Sequence, residues 1–571
     1  MQKIFVFIYL LLLTTITLAQ VNYESTNNSV YRFLERMSGN GIIQLNEEIK
    51  PFSRMYIAEK LKEIADNIGI RHQKSDIGNR KVKAGSRRLE VGSQSKDKIS
   101  ELEMEDLNFY IREYSSELRG LGFDLSRYEA KKKPIDFGTD YFGFDKYNRF
   151  RLFSYDTDQF GIFADPVLSY EYNLFKDGSS WSYSNGLSIH GYLGSHVGFD
   201  LKFYDNHPRG DNLNSGRNFS PETGYEFIVG KGTGFDFDRM NASLNFSWNY
   251  VTLSIGKDFN YYGSGENGKL ILSDKAPSFP NLKLEVWPTR WLRFSYIHGL
   301  LNSRILDSTT LRFNPRRNHI STVEKYFVAH MLSITPFKFI NFSIGESVIY
   351  SDRFQPIYLI PIAFFRFADH YLTDPDENAG NAQLFSSFWY KNYLVRTKFY
   401  GSIFIDELST YNSSNPQAVG YNIGLKSIDP LIPESELTIE YTRINPFVYF
   451  HSDSAQTYAN YGYEMGHWIG SNADQIYISF TKRILRGLNL NLSYGYVRKG
   501  SEEDFKDPRY QSDQHFLWGI KTFYTFYNIS MHYEIIQSFF LKLDYSISTI
   551  KKEQTAGRNN NSFVFSIGYG L

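Results

Sequence analysis

Two periodicities divide the chain. Up to about Lys133 the apolar residues recur at helical spacing: Val30, Phe33, Leu34 and Met37 in the first run, with Ser29 placed to cap it and Gly39 to end it. Ile57, Leu61, Ile64 and Ile68 repeat the pattern in PFSRMYIAEKLKEIADNIG, which Gly69 ends. A third helix is expected from about Ser100, with Met104, Leu107, Ile111, Tyr114 and Leu118 on one face and Gly120 as its stop. Three amphipathic helices make one small bundle. Between the second and third lies Arg71 to Lys98, with nine Lys or Arg against three acidic residues. It reads as a basic linker, the sharper alternative being a contact for anionic polysaccharide or lipid head groups.

From about Asp136 the period falls to two. Phe563, Phe565, Ile567, Tyr569 and Leu571 alternate with Ser562, Val564, Ser566, Gly568 and Gly570. Leu244, Phe246, Trp248 and Tyr250 alternate with Ser243, Asn245, Ser247 and Asn249, and LNLNLSYGY behaves alike. Such strands build either a soluble sandwich or a membrane barrel. The alternation slips phase near Thr522, so the arm from His515 to Ile535 either projects beyond a bilayer or contains a bulge.

Composition narrows the choice. Among 571 residues there are 48 Phe, 43 Tyr and 7 Trp, and no later apolar run approaches the ~20 residues a membrane helix requires. The first 19 residues have the form of a secretory signal, with Lys3, an apolar run from Ile4 to Leu13 and a cleavage site after Ala19. Export, aromatic abundance and a terminal alternating strand together predict an all-β transmembrane antiparallel barrel in the outer membrane of a Gram-negative bacterium. The roughly 435 residues after Asp136, at about 24 per strand and connection, give about 18 strands. The expected division is a signal peptide at 1–19, a periplasmic helical segment with the basic linker at 20–135, and the barrel at 136–571. With a periplasmic C-terminus, the loops Lys551–Asn561 and Lys499–Asp513 face outside and the tight link near Gln537 faces the periplasm.

Charge and motifs mostly exclude. Lys plus Arg and Asp plus Glu number 62 each, so no field draws nucleic acid, and the absence of Cys removes disulfides, thiolate metal sites and Cys nucleophiles. Gly263, Gly265 and Gly268 spell G-x-G-x-x-G, and Gly263 with Gly268-Lys269 spells G-x-x-x-x-G-K. Leu270 stands where a P-loop needs Ser or Thr, and no βαβ context surrounds the glycines, so this is a Gly-rich loop. No H-E-x-x-H or G-x-S-x-G occurs. The carboxylate groups Asp406-Glu407 and Glu502-Glu503-Asp504 lack the geometry of a glycosidase pair, Asp406-Glu407 serving equally as a loop anchor. We therefore expect no enzyme, no metal and no cofactor.

Several blocks carry a resemblance. VYRFLERMSGNGIIQ, PFSRMYIAEKLKEI, GKDFNYYGSGENGKLILSDKAPSFPNLKLE, RFSYIHGLLNSR, GESVIYSDR, PIAFFRFADHYL, GSIFIDEL, LTIEYTRINPFVYFH and YGYEMGHWIGSNAD follow the order of the capsule assembly proteins of the Wzi type, in the long form with an N-terminal helical segment. The chain resembles that family over nearly its whole length. It departs from it where Tyr261-Tyr262 replaces a Trp before the glycine turn, and in the inserted Arg71–Lys98 stretch. The resemblance implies a monomeric lectin in contact with outer-membrane lipid, closed on its periplasmic side, that holds capsular polysaccharide or another surface glycan such as exopolysaccharide. Aromatic faces and charged groups suit sugar rings and uronic acids. The candidate ligand residues from these blocks are Tyr261, Tyr262, Glu266, Arg366, His370, Arg443, His467 and Trp468, with Arg366 and Arg443 alternatively hydrogen-bonded inside the barrel wall or paired with carboxylates in the lumen, and Trp468 alternatively a girdle aromatic. The competing reading is a porin or transport channel for small solutes, which a plug formed by the helical segment would oppose.

Overall fold

The computed structural model describes residues 22–69, 99–130, 141–217, 219–312, 319–367, 380–407, 417–501 and 515–570. The expected signal at 1–19, the basic stretch Arg71–Lys98, His370 and Glu502–Asp504 lie outside them. Eighteen strands, from Phe160–Phe175 to Arg558–Tyr569, form a closed antiparallel barrel. The last strand pairs with the first, Ser562 opposite Phe175 through to Tyr569 opposite Leu168, so no edge is left to aggregate. Two short strands, Phe153–Asp156 and Val229–Lys231, pair with barrel strands at its rim.

Alternation sets the two faces of the wall. In Ser435–Ile444, Glu436, Thr438, Glu440 and Thr442 are buried toward the lumen while Ile439 is exposed outside. Across the neighbouring strands Ile423, Ile403, Phe388 and Ile344 are likewise exposed. An apolar exterior around a polar interior is the inverse of a soluble barrel and suits a lipid solvent. One end carries tight turns, as between Thr289 and Leu292, Leu485 and Leu488, or Ile536 and Phe539. The other carries most of the long connections, including 211–233, 259–278, 352–380 and 445–472. The strand after 515–521 begins at Thr522, where the sequence alternation slips, so the long arm is loop followed by strand.

The helical segment fills the tight-turn mouth. Helices α1 (Val30–Gly39), α2 (Arg54–Asn67), α3 (Glu101–Glu113) and α4 (Ser115–Gly120) share a core that includes Phe33, Leu34, Leu61, Ile64, Leu107, Ile111 and Leu118. Ser53 caps α2, and Ser100 forms a reciprocal capping box with Glu103 at α3. Ser29 does not cap α1: its hydroxyl donates to Glu534 of the barrel (2.7 Å), and the Asn28 side chain takes the Val30 N–H instead. The expected third helix is two, broken at Tyr114, whose hydroxyl donates to Glu24.

Ionic groups fix this segment to the wall around the mouth. Arg36, with its side chain 2% exposed, meets Glu103 at 2.7 Å and Asp429 at 2.9 Å. Glu47 binds Lys391 at 2.6 Å and Lys398 at 2.7 Å, and Glu35 binds Lys50 at 2.5 Å and Lys426 at 3.3 Å. Burial alone would raise the Glu47 carboxyl, but Lys391 and Lys398 outweigh it and lower it from 4.5 to about 2. A depressed carboxyl stabilises docking fully above its unfolded value, and that stability disappears as pH falls through the folded one. Protease cleavage of the helical segment in the intact barrel should therefore rise as pH drops from 4.5 toward 2. A cleavage rate flat across that window would refute this origin of the docking.

Candidate functional site

The lumen is closed a second time from the long-loop end. Residues 259–278 and 445–472 fold inward and bond to each other: Tyr449 donates to the Leu270 carbonyl (2.5 Å), Tyr458 to that of Ile271 (2.9 Å), and Ser273 N–H to that of Met465 (2.7 Å). Leu270, Ile271, Leu272, Tyr458, Met465 and Ile469 then pack on wall residues such as Phe327, Phe385 and Phe404. Asp406 is the anchor of this arrangement, accepting the Tyr449 N–H at 2.6 Å and an amide N–H of Gln383 at 3.2 Å. The glycine motif also finds its reason here. Gly263, Gly265 and Gly268 all have positive φ, and a Cβ on Gly268 would stand 2.6 Å from the His467 ring.

These contacts locate the candidate ligand residues. Tyr262 is enclosed, its hydroxyl 2.8 Å from that of Ser295. Glu266 pairs with Lys426 at 3.2 Å, and its own N–H and that of Asn267 reach Glu440. His467 is fully buried, and burial pushes its imidazole down to about 3, so it is neutral. Trp468 donates from Nε1 to the Asn267 carbonyl at 2.7 Å and packs edge-on to Phe219, so it belongs to the loop packing and not to a girdle. Arg443 lies over the Phe516 ring at 3.8 Å, with Nε on Asn445. Arg366 is exposed on a connection outside the barrel, its N–H on outward-facing Glu346, and not within the lumen. Tyr261 is set apart from the others because it borders an open cleft.

That cleft, about 140 Å³, runs between the loop 259–278 and the inner face of Val197–Gly210 and Gly234–Trp248. Its lining combines the rings of Tyr204, Tyr225, Phe237 and Tyr261 with Lys202, Arg239, Glu226 and Asp274. Residues 25–27 of the helical segment close one side. The Tyr261 hydroxyl is held between Thr26 (2.9 Å) and Asp274. Tyr225 meets Phe237 edge-on at 4.7 Å, and the Arg217 guanidinium lies over Tyr225 at 4.3 Å. Rings edged by carboxylates and cations can receive the C–H face of a sugar while bonding its hydroxyls. Sequence reading misses Lys202, Tyr204, Tyr225, Phe237 and Arg239. The available signal is an inversion: in GFDFDR the aromatic positions Phe235 and Phe237 point inward and Asp236 and Asp238 point outward.

No helix among the described residues is long and apolar enough to cross a membrane, which leaves strand crossing untouched. Among solved structures, the Escherichia coli outer membrane protein Wzi, involved in group 1 capsule assembly and described as a carbohydrate binding β-barrel, aligns at 12% identity. The alignment covers 97% of this chain and 100% of that one, with a TM-score of 0.52, a likeness of fold. Acinetobacter baumannii OccAB4 aligns at 10% identity over 72% of this chain and 98% of its own, with a TM-score of 0.41. Pseudomonas aeruginosa OpdK with vanillate aligns at 10% over 71% and 98%, also at 0.41. No curated protein matches the chain. The sequence profile described as capsule assembly protein Wzi matches residues 136–563, which is more than half the length and nearly the whole barrel, and the chain therefore belongs to the Wzi capsule assembly family.

Proposed function

We propose that this protein is an outer-membrane barrel that binds surface polysaccharide and helps to hold or assemble capsule, or a related exopolysaccharide, on the cell. The observation that carries this reading is the aromatic and charged cleft beside a lumen into which loops pack from one end and the helical segment from the other. The filled lumen counts against a solute channel. Family membership supports the polysaccharide as partner, and the apolar exterior supports contact with membrane lipid. In this reading residues 1–19 are the export signal, the helical segment faces the periplasm, and the long loops face outward on a monomer. The protein retains glycan without turning it over. Tyr261 lines the binding cleft and Arg443 serves at the loop end, while Tyr262, Glu266, His467 and Trp468 hold the loops that shape it.

The test is the partition of surface polysaccharide between cells and medium in a strain lacking the protein. The expected result is undiminished synthesis with the glycan shed into the medium, and its return to the cells on complementation. Unchanged partition with impaired solute uptake would replace this reading with the channel. Tyr225→Ala and Arg239→Ala should each weaken glycan retention roughly 3- to 10-fold, the worth of one ring or cation contact. Binding isotherms on the purified barrel check this, and wild-type affinity in both variants would remove the cleft from the proposal.

A further inference from the structure

One connection lies outside the barrel. Residues 353–367 descend along the exterior of the strands Leu292–Arg312, His319–Phe337 and Ile340–Ser351, covering outward-facing Tyr296, Val328, Val348 and Tyr350. Register puts Tyr296, His330 and Glu346 side by side, in one row across the three strands. The next row toward the tight turns is Phe294, Leu332 and Ile344, the apolar type expected of a wall in lipid.

The polar row meets the backbone of the covering segment. Tyr296 donates to the Tyr358 carbonyl at 2.6 Å, and His330 Nδ1 lies 3.0 Å from the Pro361 carbonyl. Glu346 is 2% exposed and accepts the Phe365 N–H at 2.6 Å and the Arg366 N–H at 3.4 Å. Pro356 and Pro361 have no N–H to satisfy, and the N–H groups of Tyr358, Ile360, Ala363 and Phe367 bond within the segment's own turns. Meanwhile Leu359, Ile360, Ile362, Phe364 and Phe367 point away from the wall, Ile362 at 82% exposure. Irregular backbone is excluded from the hydrocarbon of a bilayer because each orphaned polar group there costs several kcal/mol. Here part of that cost is removed by side chains placed on what is otherwise an oily surface.

We infer that residues 353–367 form a strap that lies in the membrane against the barrel, its apolar side chains in contact with acyl chains and its backbone held by Tyr296, His330 and Glu346. The occupant is lipid rather than a second protein, because the wall already takes up the Tyr358 and Pro361 carbonyls and the Phe365 and Arg366 N–H groups, and the exposed residues continue the apolar band of Phe342 and Ile344. The inference rests on the membrane-barrel reading above.

The chain has no Cys, so single cysteines give unique thiols for a fluorescent label. Full-length protein carrying Ile362→Cys is reconstituted in vesicles with brominated or ordinary phosphatidylcholine. Ile423→Cys reports the uncovered wall, and Gln554→Cys the exposed loop 553–557. The expected result is quenching at 362 by brominated chains to the extent seen at 423, with iodide quenching only 554. Adding Glu346→Leu should then expose 362 to iodide. Iodide access at 362 with lipid quenching at 423 overturns the strap and leaves the barrel reading intact. Iodide access at both overturns both. Shielding of 362 from both quenchers means that a second copy covers it, and an unaltered signal in Glu346→Leu removes the polar row from its holding role; either result overturns the inference.

Discussion

In planar bilayers the intact chain should pass little current, a chain lacking residues 22–130 should remain nearly as silent, and only removal of both that segment and residues 445–472 should open a steady conductance. The reason is that the two obstructions stand in series. The helical segment closes the tight-turn mouth through Arg36, Glu35 and Glu47, while the loops 259–278 and 445–472 fill the lumen nearer the other end around Leu270, Tyr458 and Ile469. Resistances in series are set by the larger, so either plug suffices alone. A barrel of 18 strands emptied of both has the width of an aqueous channel, and the gain over either single deletion should be on the order of tenfold or more. Large steady current through the intact chain would defeat the closed-lumen account. Large current after the helical deletion alone would assign closure to that segment only.

The second large effect is expected at Arg36→Met. The guanidinium is buried between Glu103 and Asp429, with Glu434 at 3.5 Å, and its removal leaves acidic groups enclosed without a counter-charge. Breaking a buried ion pair from one side costs roughly 3–5 kcal/mol, enough to release the helical segment while the barrel's strand ladder persists. Limited proteolysis should cut within residues 22–130, and the heat-resistant mobility of the folded barrel should be unchanged. Arg396→Met is the matched control, since Arg396 meets the same Asp429 at 3.0 Å but its side chain is 52% exposed. Its effect should stay within about 1 kcal/mol. Equal protease sensitivity in the two variants would show that burial of Arg36 is not what holds the segment.

Local pattern made the helices and the wall readable. Ile57, Leu61 and Ile64 face a shared core as their spacing implies, and Phe563 is exposed while Ser566 is buried, as alternation requires. The phase slip at Thr522, which the pattern alone assigns to a bulge or to an arm beyond the bilayer, is where a strand begins after a loop. What pattern could not reveal was which loops turn inward. Tyr262, His467 and Trp468 have the composition of a sugar site, but their partners Ser295, Gly268 and Asn267 become neighbours only after the barrel closes. Outward His330 and Glu346 look like flaws in an apolar face until the segment they hold is in place. The cleft escaped for a related reason. Lys202 and Arg239 come from strands whose inner faces meet a loop distant in sequence, so nothing within one strand announces them.

The seam between the last and first strands has a kinetic consequence. It joins residues 562–569 to 168–175, with Ser566 bonding Glu171 across 395 positions of sequence, whereas the other neighbouring strands of the barrel follow one another along the chain. Adjacent hairpins can therefore zip early, while closing the ring awaits the most distant pairing. Until then the open sheet has two unpaired edges. The helical segment, whose Arg36 and Ser29 reach Asp429 and Glu534, bridges several of the intervening strands and so favours the curvature that brings the two edges together. A barrel assembled without it should close more slowly even where its final stability is unaltered.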